Sequence, residues 1–271
     1  MQEFLTFFED MPLWMRFLWV VGVLGVFWIL EGYYAFVKLS YKKWKHAGVN
    51  FVFLSFTMLI NVGFGILTVG VFQLIDTYQF GLLHVVELPI WAELLVSLLV
   101  LDFLAQYVVH YLLHKVRWMW RLHIIHHSDT KVDVTTGTRH HPLDFVIREL
   151  FALFAVLLMG MPVAYYLVYR IFSVFFTYFT HANIRLGKAD KWISYVFVTP
   201  KMHKFHHHYK MPWTDTNFGN MFSIWDRLFG TLVYDDERKI RYGVDLVDDS
   251  TDENILYQLQ IPFDKRIKTK H

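Results

Sequence analysis

The most restrictive feature of this sequence is the length of its apolar segments. Phe51–Ile75 contains no Asp, Glu, Lys or Arg, and Phe17–Val37 and Pro89–Val109 are nearly as apolar, with Glu31 the only charge in Phe17–Val37. A helix needs about 20 apolar residues to cross the hydrocarbon core of a bilayer. We therefore expect an integral membrane protein with three N-terminal spans.

Composition and charge exclude several other classes. Hydrophobic residues make up 55% of the 271 residues, and charged residues make up 18%, below the roughly 25% that is usual for soluble domains. The net charge is +2 and no basic stripe is present, which argues against a nucleic-acid partner. Because the chain has no cysteine, disulfides, thiolate metal ligands and a cysteine nucleophile are all excluded.

The charge of the loops predicts the orientation of the chain. The segment KLSYKKWK, residues 38–45, follows the first span and carries four lysines, and short loops rich in Lys and Arg stay in the cytoplasm. The third span then returns the chain to that side, so Val109 and the residues after it are expected to be cytosolic. The N-terminus, MQEFLTFFEDMP, is acidic and unlike a cleaved secretory signal, so we expect the first span to be retained.

Histidine is concentrated in two short parts of the chain. Of 15 histidines, five lie within His110–His127 and four within His203–His208. Their spacings of three and four residues, in HYLLH, HIIHH and HKFHH, place the rings on one face of a helix. Imidazole binds iron, zinc or copper, and helical bundles build metal sites from such pairs. The spacing thus predicts a metal centre formed by eight histidines: His110, His114, His123, His126, His127, His203, His206 and His207.

The number of ligands predicts two metal ions, because eight imidazoles exceed the four positions of a tetrahedral site. His181, in FTHAN, emerges from the last apolar region and is the best candidate for a ninth ligand. His140, His141 and His208 compete for a tenth position or for contact with the ligand rings.

Three histidines lie apart from these groups. His46 and His84 are expected to stand alone in loops without a role in the centre, and His271 is the C-terminal residue.

The fourth apolar region, Phe151–Thr180, separates the two histidine groups and is interrupted by Gly160–Pro162 and Arg170. A single crossing would place the groups on opposite sides of the membrane, whereas two crossings would leave about 22 Å per helix for a core of about 30 Å. A broken helical hairpin that turns at Gly160–Pro162 meets both constraints. The expected fold is therefore all-α: a membrane bundle of three spans and this hairpin, with a cytosolic, histidine-rich cap that holds a dinuclear metal site.

An all-histidine centre also needs acceptors that hold the rings in place. Asp102 and Gln106 precede His110 by two turns and one turn of an apolar helix, and both are candidates. A carboxylate inside a membrane span is a functional hypothesis by default. The alternative for Asp102 is a hydrogen bond that joins two helices.

The histidine pattern and its surroundings resemble the fatty acid hydroxylase superfamily, sterol desaturase type. The matching stretches lie between Asp102 and Thr231 and read DFLAQYVVHYLLH, RLHIIHHSD, TGTRHHP, THANI, TPKMHKFHHH, TNFGN and IWDRLFGT. Members of this superfamily are membrane enzymes with two non-haem irons under a cytosolic cap. They use dioxygen and external electrons to hydroxylate, demethylate or desaturate lipids.

The resemblance implies roles for particular residues and partners. It places Arg139, His141 and Asn217 near the centre without a firm role. It implies a membrane lipid as substrate and a separate electron donor, either a ferredoxin or a small haem carrier with its reductase. The ligands that it carries over are His110, His114, His123, His126, His127, His181, His203, His206 and His207.

These observations lead to one functional hypothesis and one alternative. The hypothesis is a membrane-bound, non-haem di-iron oxidoreductase of the monooxygenase type, which hydroxylates or desaturates a lipid in lipid biosynthesis. The lipid could be a fatty acid chain, a sterol or another isoprenoid, or an alkylglycerol ether. The alternative is a membrane metalloprotein without oxygenase activity, such as a zinc hydrolase or a metal- or haem-binding electron-transfer protein. HYLLH lacks the glutamate of the H-E-x-x-H protease motif, which weakens the hydrolase alternative.

The chain is expected to have three parts. Residues 1–88 form the N-terminal membrane helices, residues 89–235 form the catalytic domain, and residues 236–271 form a cytosolic tail with a solvated acidic face.

Overall fold

The computed structural model describes residues 1–234 and 240–269. Within these residues all regular secondary structure is helical, and the β-type pairing consists of two isolated bridges, Ala35 with Ile184 and Phe197 with Phe222. The expected all-α class is confirmed. Four segments are long and apolar enough to cross a membrane: Leu13–Tyr34, Lys43–His84, Ile90–Lys115 and Val163–His181.

The N-terminal part consists of a short helix and two long ones. Helix α1 (Gln2–Glu9) packs against the last membrane helix. Helix α2 (Leu13–Tyr34) starts directly after Pro12, which has an extended backbone and lacks the N–H that a helix interior would need. Helix α3 (Lys43–Tyr78) has 36 residues, about 54 Å at 1.5 Å per residue. This length exceeds the membrane core of about 30 Å, so α3 extends beyond it.

The third span contains an irregular turn. Helices α4 (Ile90–Asp102) and α5 (Val109–Lys115) are joined by a π-helical segment, Phe103–Val108. Such segments are rare within α-helices and frequently occur at functional sites. In this chain the π-helical segment directly precedes the turn that carries His110. After an extended Val116, α6 (Arg117–His127) continues the chain.

The expected hairpin is formed by α7 (Pro142–Met159) and α8 (Val163–His181). It turns at Gly160, whose φ of +63° is in the left-handed region that favours glycine, so the predicted turn at Gly160–Pro162 is confirmed. Helix α7 begins well before Phe151, where the apolar pattern begins. The charged residues in this additional part of α7, Asp144, Arg148 and Glu149, are mostly buried and form ion pairs within the fold.

Arg170 links three membrane helices. Its guanidinium lies 2.5 Å from Glu149 of α7 and 3.0 Å from the amide oxygen of Asn61 of α3. Between helices in a bilayer, polar contacts of this kind and close packing replace the hydrophobic effect as the source of association. The charge inside the last apolar region is therefore satisfied by partners on neighbouring helices.

The cap consists of short helices and ordered loops above the bundle. The loop of residues 207–223, between two of the cap helices, contains a turn at Asn217 with φ of +54°. The cap helices are α9 (Ala189–Ile193), α10 (Pro200–His206), α11 (Ile224–Leu228) and α12 (Ile255–Gln260).

The lysine-rich loop lies on the same side of the bundle as the cap. Glu31, at the end of α2, accepts hydrogen bonds of 2.7 Å from the backbone N–H groups of Val134 and Asn183. Its other oxygen lies 2.8 Å from Lys43, at the start of α3. These contacts join the segment between α2 and α3 to the cap loops that adjoin the histidines.

Candidate metal centre

Nine buried histidines meet in two adjacent groups. In each group, one ring nitrogen of every member lies within 4.8 Å of those of the others. The first group contains His110, His114, His123, His127 and His206, and the second contains His126, His181, His203 and His207.

The two H-x-x-H-H boxes each contribute to both groups. From α6, His123 and His127 enter the first group, while His126 enters the second. From α10 and the residue after it, His203 and His207 enter the second group, while His206 enters the first. On a helix, residue i+4 lies almost directly above residue i, whereas residue i+3 is displaced to the opposite side. One short box can therefore supply ligands to two neighbouring ions.

Backbone and carboxylate acceptors hold the rings of the first group. The Nδ1 atom of His123 lies 2.7 Å from Asp144, and the Nδ1 atom of His114 lies 3.2 Å from Asp215. The Nδ1 atoms of His110 and His206 lie 2.9 and 2.7 Å from the carbonyl oxygens of Phe218 and Thr216. Because these acceptors receive a hydrogen bond from Nδ1–H, the proton stays on Nδ1. The Nε2 lone pair of each of these rings then points into the group.

Two rings of the second group are held in the same way. The Nδ1 atom of His126 lies 3.1 Å from the carbonyl oxygen of Arg139, and that of His181 lies 2.7 Å from the carbonyl oxygen of Thr177. Both rings therefore present Nε2 to the interior of the group.

The arrangement of the nitrogens fits metal ions. The Nε2 atoms of His110 and His123 lie 3.1 Å apart, as do those of His126 and His181. Each of these rings donates its Nδ1 proton elsewhere, so two lone pairs face each other, which is unfavourable unless a cation lies between them. Among the residues that the structure describes, neither ring nitrogen of the buried His127 has a hydrogen-bond partner. Divalent ions would satisfy these nitrogens.

Burial also keeps the rings in the neutral form that binds metal. It lowers the pKa of His123 to about 4 and that of His206 to about 3. The same cause holds the pKa well below the usual range in four other rings: His126, His127, His203 and His207. Nine imidazoles in two groups match two ions better than one, and the assignment of these residues as ligands stays a prediction.

The expected acceptors in the third span bind other groups. Asp102 accepts hydrogen bonds from the backbone N–H groups of Met221 and Phe222 and from the indole of Trp225. It thus ties the membrane helix to the cap loop. Gln106 donates to the hydroxyl of Ser173 on α8, 3.3 Å away. Neither side chain holds a histidine ring.

The three residues that the resemblance placed near the centre differ in their contacts. Arg139 contacts the second group through its carbonyl oxygen, while its buried guanidinium donates to the carbonyl of Ile125. Asn217 donates to the carbonyl of Met202 and so joins the loop to α10. His141 caps α7, with Nδ1 accepting from the backbone N–H of Leu143, and lies in neither group.

The remaining histidines have distinct positions. The ring of His140 stacks on that of His126 at a centroid distance of 4.6 Å, and His140 forms a third potential ligand cluster with His123 and Asp144. His208 lies outside these clusters, and its Nδ1 accepts from the backbone N–H of Lys210. His271 lies outside the described residues.

The expectation for His46 was wrong. This residue belongs to α3 rather than to a loop, is 0% exposed, and lies 2.9 Å from Asp129 and 3.2 Å from Asp133. The residue pattern did not identify Asp144 and Asp215, which hold two rings of the first group. A signal was available for Asp144, since it follows the HHP motif in the first turn of a helix.

A cavity of about 280 Å³ adjoins the second group. Its walls come mainly from α3, α7 and α8, and one end is closed by Gly137 and His140. A β-carbon at Gly137 would lie 3.3 Å from Nδ1 of His181, so the cavity reaches the immediate surroundings of the histidines. Met58, on its wall, is 42% exposed on the outer surface of the helices.

Comparisons with known proteins agree with this geometry. The fatty acid hydroxylase family matches residues 94–231. The chain is 30% identical over 146 residues to an ornithine lipid hydroxylase of Rhizobium tropici, covering 53% of this chain and 43% of that protein. It is 29% identical over 162 residues to the alkylglycerol monooxygenase of Caenorhabditis elegans, covering 58% and 30%. The human alkylglycerol monooxygenase is 28% identical over 140 residues, covering 51% and 30%.

The matched part spans less than half the length of each of these three relatives. No solved structure matches the chain. The family match covers about half of the 271 residues and includes all nine histidines of the two groups. The chain belongs to the fatty acid hydroxylase family.

Proposed function

We propose that this protein is an iron-dependent membrane oxygenase that hydroxylates, or desaturates, a lipid. The observation that carries the proposal is the pair of histidine groups beside a cavity between membrane helices. Two of the similar proteins are named as a lipid hydroxylase and an alkylglycerol monooxygenase, which supports oxidation of a lipid in lipid biosynthesis.

The residues present would hold two non-haem iron ions, one in each histidine group. Bound iron would supply the activation of dioxygen for attack on an unactivated carbon–hydrogen bond. The chain itself fixes the ring orientations through the carboxylate of Asp144 and the carbonyls of Arg139 and Thr177. Because every ring of both groups is buried, water is excluded from the place where the carbon would react.

The same geometry supports a cytosolic position for the centre. The lysine-rich loop 38–45 lies on the side of the cap, through the contacts of Glu31 and Lys43. Since such loops stay in the cytoplasm, the histidines would face it too. Monooxygenation consumes two electrons for each dioxygen, so a soluble or membrane-bound donor would reach the cap from this side. A ferredoxin, or a small haem carrier with its reductase, fits this role.

We assign the catalytic domain to residues 89–235, which include the family match at residues 94–231. Residues 1–88 would form an additional membrane part, and residues 236–271 a cytosolic tail.

The experiment that tests the function compares lipids from cells that express the intact chain with lipids from cells that express His126→Ala. The expected result is a lipid that gains one oxygen atom from ¹⁸O₂, or loses two hydrogens, only with the intact chain. Purified protein should contain two irons and show no haem absorbance. Zinc in place of iron, together with unchanged lipids, would favour the alternative of a zinc hydrolase and contradict the proposal.

A further inference from the structure

The cavity contains a guanidinium with unused hydrogen-bond donors at the end next to the metal centre. Arg148 of α7 lines the cavity, and its side chain is 12% exposed. Its Nε donates to Oδ1 of Asp144 over 2.9 Å. Within the described residues its two terminal nitrogens make no hydrogen bond. Four N–H donors of one cation are thus left facing the cavity.

Arg148 is close to the histidines because Asp144 bridges them. Oδ2 of Asp144 lies 2.7 Å from His123, while Oδ1 accepts from Arg148. His140 lines the same end of the cavity and stacks on His126 of the second group. Arg148 is therefore joined to the first histidine group through Asp144, and the cavity that it lines approaches the second group at His140.

The other arginine of the cavity is already satisfied. Arg170 is bonded to Glu149 and to Asn61. Along α8 it is eleven positions before His181, about 16 Å at 1.5 Å per residue. The polar group of the cavity that is open to a ligand is thus Arg148, near the histidines. The charge of Arg170, farther from the histidines, is neutralised by the protein.

We propose that Arg148 binds the oxygen-bearing head of the lipid substrate, a carboxylate, ester or amide, so that the carbon that is oxidised lies near the head of the lipid rather than far along its tail. This proposal rests on the function proposed above and specifies its substrate class. A pure hydrocarbon would cover these donors of Arg148 without offering them an acceptor, which costs more than the loss of an ordinary contact. An acceptor oxygen on the lipid removes this cost, and the tail then extends between α3 and α8 toward Met58 and the bilayer.

The test uses the full chain in phosphatidylcholine nanodiscs and a stearic acid that carries a photoreactive diazirine on its tail. The measurement is the amount of label on peptides of α3 and α8, with oleic acid, methyl oleate or 1-octadecene as competitor. Oleic acid and methyl oleate should displace the probe, whereas 1-octadecene at the same concentration should not. Arg148→Gln should weaken labelling about tenfold or more, as expected for loss of hydrogen bonds to a charged group.

Two further variants make the result specific. Arg117→Gln removes one exposed positive charge from α6, away from the cavity, and should label like the unmodified chain. Arg148→Lys retains the charge, but its single nitrogen is taken by Asp144, so labelling should fall here too. If Arg148→Gln elutes as aggregate, Arg148→Lys decides the outcome.

Equal labelling of the unmodified chain and the folded Arg148 variant, or equal competition by 1-octadecene and oleic acid, would overturn the proposal. These results are independent of catalysis. Failure to find an oxidised lipid in cells would contradict the proposed function while leaving the labelling result in place.

Discussion

His46 and Asp129 are 83 positions apart in the sequence, yet Nε2 of His46 lies 2.9 and 3.0 Å from the two carboxylate oxygens of Asp129. Both side chains are fully buried. The contact joins the first turns of α3 to the loop that leads to Arg139, whose carbonyl holds His126. An isolated histidine of the N-terminal part thus supports the second histidine group from outside it.

This contact predicts that His46→Ala is destabilising. The substitution leaves the carboxylates of Asp129 and Asp133 buried without their partner, and breaking a buried ion pair costs about 3–5 kcal/mol. Thermal unfolding of the purified protein in detergent should show a melting temperature lowered by several degrees. The matched control is His84→Ala, at an exposed position, which should melt like the unmodified chain. Equal melting of both variants would contradict the role given to His46.

Substitution of one ligand from each group tests the centre itself. His206→Ala in the first group and His126→Ala in the second should each abolish oxidation of lipid and lower the bound iron, while insertion into membranes persists. The measurements are product analysis by mass spectrometry and iron content by elemental analysis. His208→Ala, next to the second box but outside both groups, should retain metal and activity. Full turnover by either of the first two variants would remove the metal-site hypothesis.

Asp144→Asn tests the acceptors behind the rings. The change removes the negative charge that orients His123, and loss of such a partner typically lowers metal affinity or activity about 10–100-fold. Competition with a chelator at graded concentrations measures the affinity. Asp249→Asn serves as the control, since Asp249 pairs with an exposed arginine in the cap. An unchanged chelator midpoint in Asp144→Asn would show that the carboxylate has no part in holding the metal.

Gly160→Ala tests the turn of the hairpin. Its φ is +63°, and a β-carbon there would lie 2.0 Å from the carbonyl oxygen of Phe80. The strained backbone alone costs about 1–3 kcal/mol, and the clash adds to it, so the melting temperature should fall. Gly70→Ala is the matched control because a β-carbon there meets nothing within 4 Å. That helical position should be neutral or gain about 0.5–1 kcal/mol, and a similar loss in both variants would contradict the argument.

Local properties of the sequence determined the membrane helices and the identity of the clustered histidines. The hydropathy of a segment and the spacing of its residues depend on that segment alone, so the spans, the turn at Gly160 and the helical faces of both histidine boxes were predictable. The early start of α7 was not, because the charges of Asp144, Arg148 and Glu149 mark it as polar until their partners are known.

The tertiary structure determines which histidine rings belong to each of the two groups and which acceptors hold them. Spacing shows that His123 and His126 lie near one face of α6. They belong to different groups because His123 meets His110 and His126 meets His181, and both of these partners come from other helices. Two of the supporting acceptors are the carbonyls of Arg139 and Thr177. Every residue has a carbonyl, so residue type does not identify these acceptors. The carbonyl of Thr177 lies one turn before His181 on the same helix, but the packing of separate segments selects the carbonyl or carboxylate that meets each of the other held rings.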